Sequence, residues 1–243
     1  MHFRLAERPT LVRLSTCMTH HTGSGRLLTE LDALFPAGVC TVMSHSRATA
    51  DPLWPAEAEF AKAFSPGRQA EFRHGRACAR AALLRLAVPP AAILAGKDRA
   101  PLWPEGIVGS ISHGGETAAA AVSGDGGLIA LGLDLEPALE LEENLWPRIC
   151  RREELDHLRG LSGSPGLGVR LLFSAKEAAY KALWPVTRRF LDFHDLAVRL
   201  DPDRRSFVVS SHRGGFTTEA AARMDGRFLE TGGLIATGVA IRR

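Results

Sequence analysis

Residues 107–136, IVGSISHGGETAAAAVSGDGGLIALGLDLE, decide the fold class of this chain. At residue 107 the spacing of apolar side chains changes to a period of two, which is typical of β-strands. The stretch predicts three strands, and its GDGG, residues 124–127, predicts a hairpin turn between the second and the third. Because the sequence on both sides has helical spacing, we expect an α+β fold with helices packed on antiparallel sheets.

Helices and one strand are predicted on the N-terminal side of these strands. GRLLTELDALFP predicts a short helix, GVCTVMSH predicts a strand, and another helix is predicted to start near Pro55. A longer helix is predicted to begin at Pro66, with Ser65 as its N-cap. Its apolar face consists of Phe72, Ala79, Leu83 and Leu86. Gly75 costs about 1 kcal/mol relative to alanine inside a helix, which suggests that another element approaches its backbone.

The C-terminal side predicts two helices and three strands. NLWPRICRREELDHLRGL predicts a helix, and SGSPGLG predicts a loop after it. The next helix is predicted in FSAKEAAYKAL, residues 173–183, where Ser174 and Glu177 fit a capping box and Pro185 ends the helix. Strands are predicted in FHDLAVRL, SFVVSS and GGLIATGVAIRR.

The composition is that of an ordinary globular protein with a slight excess of positive charge. The 243 residues include 45% hydrophobic and 23% charged residues, and the net charge is +3. This charge suits an anionic ligand or an acidic partner and is too diffuse to indicate nucleic acid. Four dispersed cysteines argue against a zinc site or a disulfide framework. Since no signal peptide or membrane-length apolar run is found, we expect a cytoplasmic protein without a transmembrane segment.

Two carboxylates share one face of the strand LGLDLEP. Asp134 and Glu136 alternate with three leucines, and acids on an apolar strand call for a neighbouring cation or basic groups. Glu177 could complete an oxygen site of the kind that Mg²⁺ prefers, with Lys181 one helical turn away facing the phosphates of a substrate. The alternatives remain open here: the strand acids could face solvent, and Glu177 and Lys181 could form an exposed ion pair worth about 0.3–0.5 kcal/mol.

Further polar residues could contact phosphate groups. Ser112 and His113 end a predicted strand beside two glycines, and Arg76 lies on a basic helix. Only four lysines occur in the chain, and two of them lie within FSAKEAAYKAL. We expect Lys176 to be solvated rather than to bind phosphate, and Tyr180 to be a packing residue.

Four segments, taken in order, resemble the 4′-phosphopantetheinyl transferase superfamily, in particular its two-lobed monomeric branch. The segments are RQAEFRHGRACARAAL, APLWPEGIVGSISHGG, LGLDLEP and FSAKEAAYKALWP. The similarity covers roughly residues 68–198 and is nearest to the enterobactin (siderophore) synthase component D type. Each motif alone has low specificity for the family, whereas the order and spacing of all four together are specific.

The resemblance implies a reaction in which coenzyme A is the donor and Mg²⁺ the cofactor. A serine on an apo acyl or peptidyl carrier protein would attack the phosphate nearest pantetheine, and adenosine 3′,5′-bisphosphate would leave. By similarity, the metal and the pyrophosphate would lie among Asp134, Glu136 and Glu177. Glu177 would also act as the base, and Lys181 would bind the phosphates and stabilise the leaving group. Contacts to the 3′-phosphate and the nucleotide are implied for Arg68, Arg76, Ser112, His113 and either Lys97 or Arg99.

The resemblance also implies two similar lobes, 1–125 and 126–243, each a small antiparallel sheet with a long helix, and an active site in the cleft between them. Siderophore peptide, polyketide and fatty-acid carriers all remain possible partners. Two other functions remain open: a non-catalytic module that binds coenzyme A or a carrier, and a metal-dependent hydrolase of the coenzyme A pyrophosphate.

Overall fold

A computed structural model describes residues 31–47, 50–89, 91–161, 163–212 and 221–243 of the chain. The strands are β1 Val39–Ser44, β2 Val108–Gly114, β3 Thr117–Ser123, β4 Leu128–Pro137, β5 Leu196–Asp201, β6 Ser206–Ser211, β7 Met224–Thr231 and β8 Leu234–Arg242. The α-helices are α1 Pro55–Ala61, α2 Pro66–Arg85, α3 Trp146–Ile149, α4 Arg152–Arg159 and α5 Pro165–Thr187, with a 3₁₀ turn at Glu143–Leu145. Across these residues, no helix is both long enough and apolar enough to cross a membrane.

The strands form two antiparallel sheets, which confirms the predicted α+β fold class. The first has the order β1-β3-β2 and the second has the order β4-β8-β7-β6-β5. Residues 124–127 are not a hairpin turn, because β3 pairs with β1 and β2 whereas β4 pairs with β8. That prediction was wrong because turn-forming residues mark a change of direction but do not identify the strands that pair. The two sheets lie on either side of the predicted boundary at residue 125, which itself stays a prediction.

Helix α2 covers the first sheet as predicted. Ser65 accepts a hydrogen bond from the backbone of Arg68. Ala79, Leu83 and Leu86 pack on the alanines of β3, whereas the Phe72 ring contacts those of two phenylalanines before the helix. A Cβ placed on Gly75 would lie 2.8 Å from Cγ2 of Ile111 on β2. The glycine therefore allows a close approach between helix and strand, as predicted from the presence of an unfavourable residue inside a helix.

Helix α5 covers the second sheet and is longer than predicted. It begins at Pro165, within the predicted SGSPGLG loop, and Ser174 lies buried in its middle instead of capping it. It also continues past Pro185 to Thr187. Proline in the first turn is itself a start signal, and glycines on either side of it favoured the loop interpretation. The predicted helix over NLWPRICRREELDHLRGL is interrupted at Cys150, whose backbone is extended.

Two other sequence interpretations were incomplete. Strand β7 was not predicted, although it pairs with β8 along its whole length. The short helix predicted in GRLLTELDALFP, residues 25–36, lies half outside the described residues, and within the described half residues 31 and 32 are helical.

Strand β4 is the edge strand of the second sheet that lies next to β2 of the first sheet, and it positions the candidate site. Leu131, Leu133 and Leu135 pack on one side of it, in a core that also contains residues of β3 and β8. Side chains rather than backbone ladders join it to β2: Ser110 Oγ accepts from Leu133 N at 2.9 Å, and Ser112 Oγ accepts from Leu135 N at 3.2 Å. The opposite face of β4, including Gly132, lies against α5.

We expect Gly132→Ala to destabilise the protein by about 3 kcal/mol, the upper part of the range for overpacking. A Cβ at this position would overlap the carbonyl oxygen of Ala178, so α5 would have to move away from the strand. Chemical denaturation checks this, with Gly126→Ala as the control because that position has open space around it. Equal unfolding free energies for the two variants would contradict the close packing.

Candidate active site

A cavity of about 820 Å³ lies between β2, β4, α5 and the loop at residues 98–103. Its lining includes eight of the ten residues that the resemblance implies for the site: Arg68, Arg99, Ser112, His113, Asp134, Glu136, Glu177 and Lys181. The structure does not bring Arg76 or Lys97 to this cavity. Distant parts of the sequence therefore meet in one place, and the three acids face a single space.

Asp134 is the most tightly held acid. It is buried, and its Oδ1 lies 2.7 Å from Lys181 Nζ and accepts from Ser112 Oγ at 3.0 Å. Its Oδ2 accepts from Ser174 Oγ at 2.9 Å, and Ser174 and Thr237 are also hydrogen-bonded to each other. Residues from β2, β4, β8 and α5 thus fix the orientation of one carboxylate and one ammonium group. A buried carboxylate of this kind is stable because it is both paired and hydrogen-bonded.

The other two acids differ in their partners. Glu136 accepts from Arg170 Nη1 at 2.8 Å, whereas no hydrogen-bond partner holds the Glu177 carboxylate within the described part of the chain. Burial raises the pKa of Glu136, and the negative charge of Asp134 raises it further against the opposing effect of Arg170. The pKa of Glu177 is also raised, mainly by burial, with Lys181 opposing and Asp134 adding to the shift. Glu177 is therefore the acid most available for new contacts.

The three acids do not form a ready-made metal centre. In the described residues, no group of three His, Cys, Asp or Glu side chains is arranged to hold an ion. Both oxygens of Asp134 already accept hydrogen bonds, from Lys181 and from two serines. One oxygen of Glu136 is paired with Arg170. The donor set still fits Mg²⁺, because the negative charge of Asp134 adds to burial in raising the pKa of both Glu136 and Glu177, and a cation would offset that repulsion between carboxylates. The metal-ligand assignment stays a prediction.

A cationic group lies at another part of the cavity wall. Arg68 Nη1 is 2.8 Å from His113 Nε2 and 3.0 Å from Glu71 Oε2. Since arginine can only donate, the His113 Nε2 atom must accept here, which requires a neutral ring. Burial lowers the pKa of His113, which favours the same form. Arg68 is thus the charged member of the pair, and His113 would need to release Arg68 before donating to a phosphate from Nε2.

Arg76 has a different environment from the one predicted. It is buried, its Nε donates to Ile93 O at 2.6 Å, and its guanidinium lies 4.1 Å from the centroid of the Phe72 ring. Burial lowers its pKa to about 10. These contacts describe a residue that packs α2 against the following loop. Of the two candidates in GKDR, Arg99 lines the cavity and Lys97 does not.

Lys176 contradicts the expectation that it is solvated. Its side chain is completely buried and donates to Glu154 at 2.7 Å, to Ile149 O at 2.8 Å and to Phe193 O at 2.9 Å. Five residues correspond to about 140° around a helix, so Lys176 and Lys181 point to different sides of α5. The spacing along the helix was enough to predict that the two lysines have different environments. That Glu154 is the partner of Lys176 follows only from the tertiary structure.

Sequence reasoning missed several residues of the site. Arg170 lies seven residues before Glu177, two turns away on the same face, and this spacing was a usable signal. Ser174 was interpreted as a helix cap and instead hydrogen-bonds to Asp134.

Tyr180 is a packing residue, as predicted. Its ring packs against those of Trp184 and Phe190, with centroid distances of 6.0 and 6.1 Å. Phe173, Tyr180 and Trp184 together form an aromatic wall of the cavity.

Two family models match the chain. Residues 56–123 match the 4′-phosphopantetheinyl transferase N-terminal domain, and residues 130–227 match the 4′-phosphopantetheinyl transferase superfamily. The first match ends with β3 and the second begins within β4, so residues 124–129 between them contain the crossing from one sheet to the other.

Two similar curated proteins carry the same description, and a third is named as a component of enterobactin synthase. The chain is 36% identical over 217 residues to the 4′-phosphopantetheinyl transferase Svp of Streptomyces mobaraensis, covering 86% of this chain and 88% of Svp. It is 33% identical over 222 residues to Npt of Nocardia iowensis, covering 86% of this chain and 99% of Npt. Enterobactin synthase component D of Salmonella typhi is 35% identical over 134 residues, 54% of this chain and 55% of that protein. The chain therefore belongs to the 4′-phosphopantetheinyl transferase superfamily and is an enzyme of that class.

Proposed function

We propose that the enzyme transfers 4′-phosphopantetheine from coenzyme A to a serine of an apo acyl or peptidyl carrier protein, with Mg²⁺ as cofactor and adenosine 3′,5′-bisphosphate as the second product. The observation that carries this proposal is the convergence of Asp134, Glu136, Glu177 and Lys181 on one cavity. Three acids and a lysine facing a common space provide groups for cation binding, proton removal and charge stabilisation.

Coenzyme A presents two separated anionic groups, the 3′-phosphate and the diphosphate, and the cavity offers separated cations. Arg68 and Arg99 line it, together with Ser112 and His113. We assign these residues to the 3′-phosphate and the nucleotide, and Lys181 to the diphosphate. An arginine fork suits a phosphate because it can donate two parallel hydrogen bonds. Arg76, to which the resemblance also gave such a contact, is left out of this assignment because it does not line the cavity.

The chemical step requires a proton acceptor and a group that stabilises the leaving oxygen. In our proposal Glu177 removes the proton of the carrier serine, whose oxygen bonds to the phosphorus nearest pantetheine while the bond to the bridging oxygen breaks. Lys181 stabilises the negative charge that develops on that oxygen. Asp134, Glu136 and Glu177 would hold Mg²⁺, which when bound would neutralise charge on the diphosphate.

Lys181 Nζ also lies 3.0 Å from Ser112 Oγ and 3.1 Å from Leu133 O. These contacts hold the ammonium group at the junction of both sheets, so it can reach a ligand without a large rearrangement. Its present partner Asp134 would be shared with the cation in the loaded enzyme.

A panel of apo-carrier domains tests the proposed function. Each domain is incubated with the full chain, coenzyme A and Mg²⁺, and the products are examined by mass spectrometry. Phosphopantetheine attached to the carrier supports transfer. Free phosphopantetheine without carrier modification would instead indicate a hydrolase, and binding of coenzyme A without either product would indicate a non-catalytic module. Peptidyl carriers of siderophore assembly come first in the panel, because one group of relatives is named for enterobactin synthase.

We expect removal of divalent metal to lower the transfer rate by at least about 100-fold, since a bound cation contributes several kcal/mol to charge stabilisation. The test adds a chelator to the transfer assay and then restores activity with excess Mg²⁺. Monovalent salt at matched ionic strength serves as the control for screening. Undiminished transfer in chelator would count against the metal assignment.

A further inference from the structure

Asp98 connects the loop that carries Arg99 to the end of helix α5. The loop is a tight reversal in which Gly96 N donates to Ala100 O at 2.9 Å. Within it, Asp98 Oδ1 accepts from Ala100 N at 3.2 Å, so the carboxylate stabilises the turn from inside. One oxygen of Asp98 is thus used by its own loop.

The second oxygen reaches across to the other half of the molecule. Asp98 Oδ2 accepts from Trp184 Nε1 at 2.7 Å and from Arg188 Nη1 at 2.9 Å. Trp184 is in the last turns of α5, and Arg188 is its C-cap, with a left-handed φ of 50°. All three residues line the cavity. The hydrogen bond from Trp184 is the main cause of a lowered pKa for Asp98, so the carboxylate is charged at neutral pH.

These contacts hold the loop that carries Arg99 next to the helix that carries Lys181. Arg99 follows Asp98 directly, and its left-handed backbone, with φ of 66°, is part of the turn that Asp98 stabilises. Lys181 lies three residues before Trp184 on the helix to which Asp98 is bonded. A ligand with two anionic groups binds more tightly when the groups that receive them are already held apart at the right distance.

We propose that Asp98 is a positioning residue that holds the Arg99 loop against α5, so that Arg99 and Lys181 can bind the nucleotide and the diphosphate of one coenzyme A molecule. The proposal rests on the proposed function of the cavity. It gives Asp98 no contact with the reacting atoms, so its removal should weaken coenzyme A binding and leave the chemical step nearly intact.

The experiment compares Asp98→Ala with Asp125→Ala in the full chain. Asp125 is a matched control because its Oδ1 accepts from Gly127 N at 2.9 Å, the same local turn bond, while no contact of its carboxylate with α5 occurs in the described residues. The Kd for coenzyme A is measured by calorimetry without a carrier, and KM and kcat are measured with an apo-carrier that the unaltered enzyme modifies.

For Asp98→Ala we expect Kd and KM for coenzyme A to rise about tenfold, with kcat within about threefold of the unaltered enzyme. Asp98→Asn keeps an acceptor oxygen for Trp184 and should recover part of the affinity. A rise of less than about threefold relative to Asp125→Ala, or a loss confined to kcat, would overturn the proposal. Failure of the unaltered enzyme to modify any carrier would instead refute the proposed function.

A double-mutant cycle separates this role from general loss of stability. Arg188→Met removes one donor to Asp98, and its effect on the Kd should largely disappear when Asp98 is already alanine. Additive effects of the two substitutions would contradict a shared contact. Thermal unfolding of every variant establishes that the folded fraction is the same at the assay temperature.

Discussion

Glu177→Gln is expected to lower kcat/KM for carrier modification by about 10²–10⁴-fold, the range for loss of a general base. Glutamine has nearly the same shape as glutamate but cannot take up the serine proton, and it is a weaker metal ligand. Among the described residues the Glu177 carboxylate lacks a hydrogen-bond partner, while burial and Asp134 raise its pKa. The substitution therefore removes a chemical function without breaking an observed contact.

Stability measurements distinguish this effect from unfolding. The melting temperature of Glu177→Gln should equal or exceed that of the unaltered enzyme, because a poorly solvated carboxylate is replaced by a neutral amide. Glu153→Gln is the control, since its side chain is 74% exposed and lies outside the cavity. If Glu177→Gln modified the carrier as fast as Glu153→Gln, Glu177 would be neither the base for the serine proton nor a ligand of Mg²⁺.

Alternation along a strand made part of the site predictable. Asp134 and Glu136 had to share one face because side chains in a strand alternate, and the leucines between them indicated a buried opposite face. The structure has this arrangement, with Leu133 and Leu135 in a core and the acids facing the cavity. The position of Gly75 in a good helix likewise predicted a close neighbour, which is Ile111.

Features that depend on distant partners could not be predicted in the same way. Nothing in the GDGG turn indicates that β4 pairs with β8, which follows it by about a hundred residues. Ser174 satisfied the local rule for a helix cap, but in the middle of α5 it hydrogen-bonds to Asp134 on β4. Arg76 lay on a basic helix and its direction was undetermined, because the acceptor for its Nε is a carbonyl in a later loop. Local rules supplied the elements, and tertiary contacts determined the role of each polar group.

Lys176→Met is expected to destabilise the protein by about 3–5 kcal/mol, the cost of removing one partner from a buried ion pair. Methionine fills a similar volume but leaves the carboxylate of Glu154 without its ammonium partner. It also leaves the carbonyl oxygens of Ile149 and Phe193 without the donor they have now. Since the three partners belong to α3, α4 and the segment before β5, one lysine joins three parts of the second half to α5.

A double-mutant cycle identifies the cause of this destabilisation. Glu154 also accepts from the backbone of Arg151 at 2.8 Å and of Val198 at 2.7 Å, so Glu154→Gln keeps a polar group there while removing the charge. The double variant with Lys176→Met should be more stable than Lys176→Met alone, because no uncompensated charge remains. Lys62→Met is the control, since Lys62 forms an exposed pair with Glu59 and its loss should change the unfolding free energy by less than about 0.5 kcal/mol. Chemical denaturation checks these variants, and an unfolding free energy of Lys176→Met equal to that of Lys62→Met would contradict a stabilising role for the buried pair.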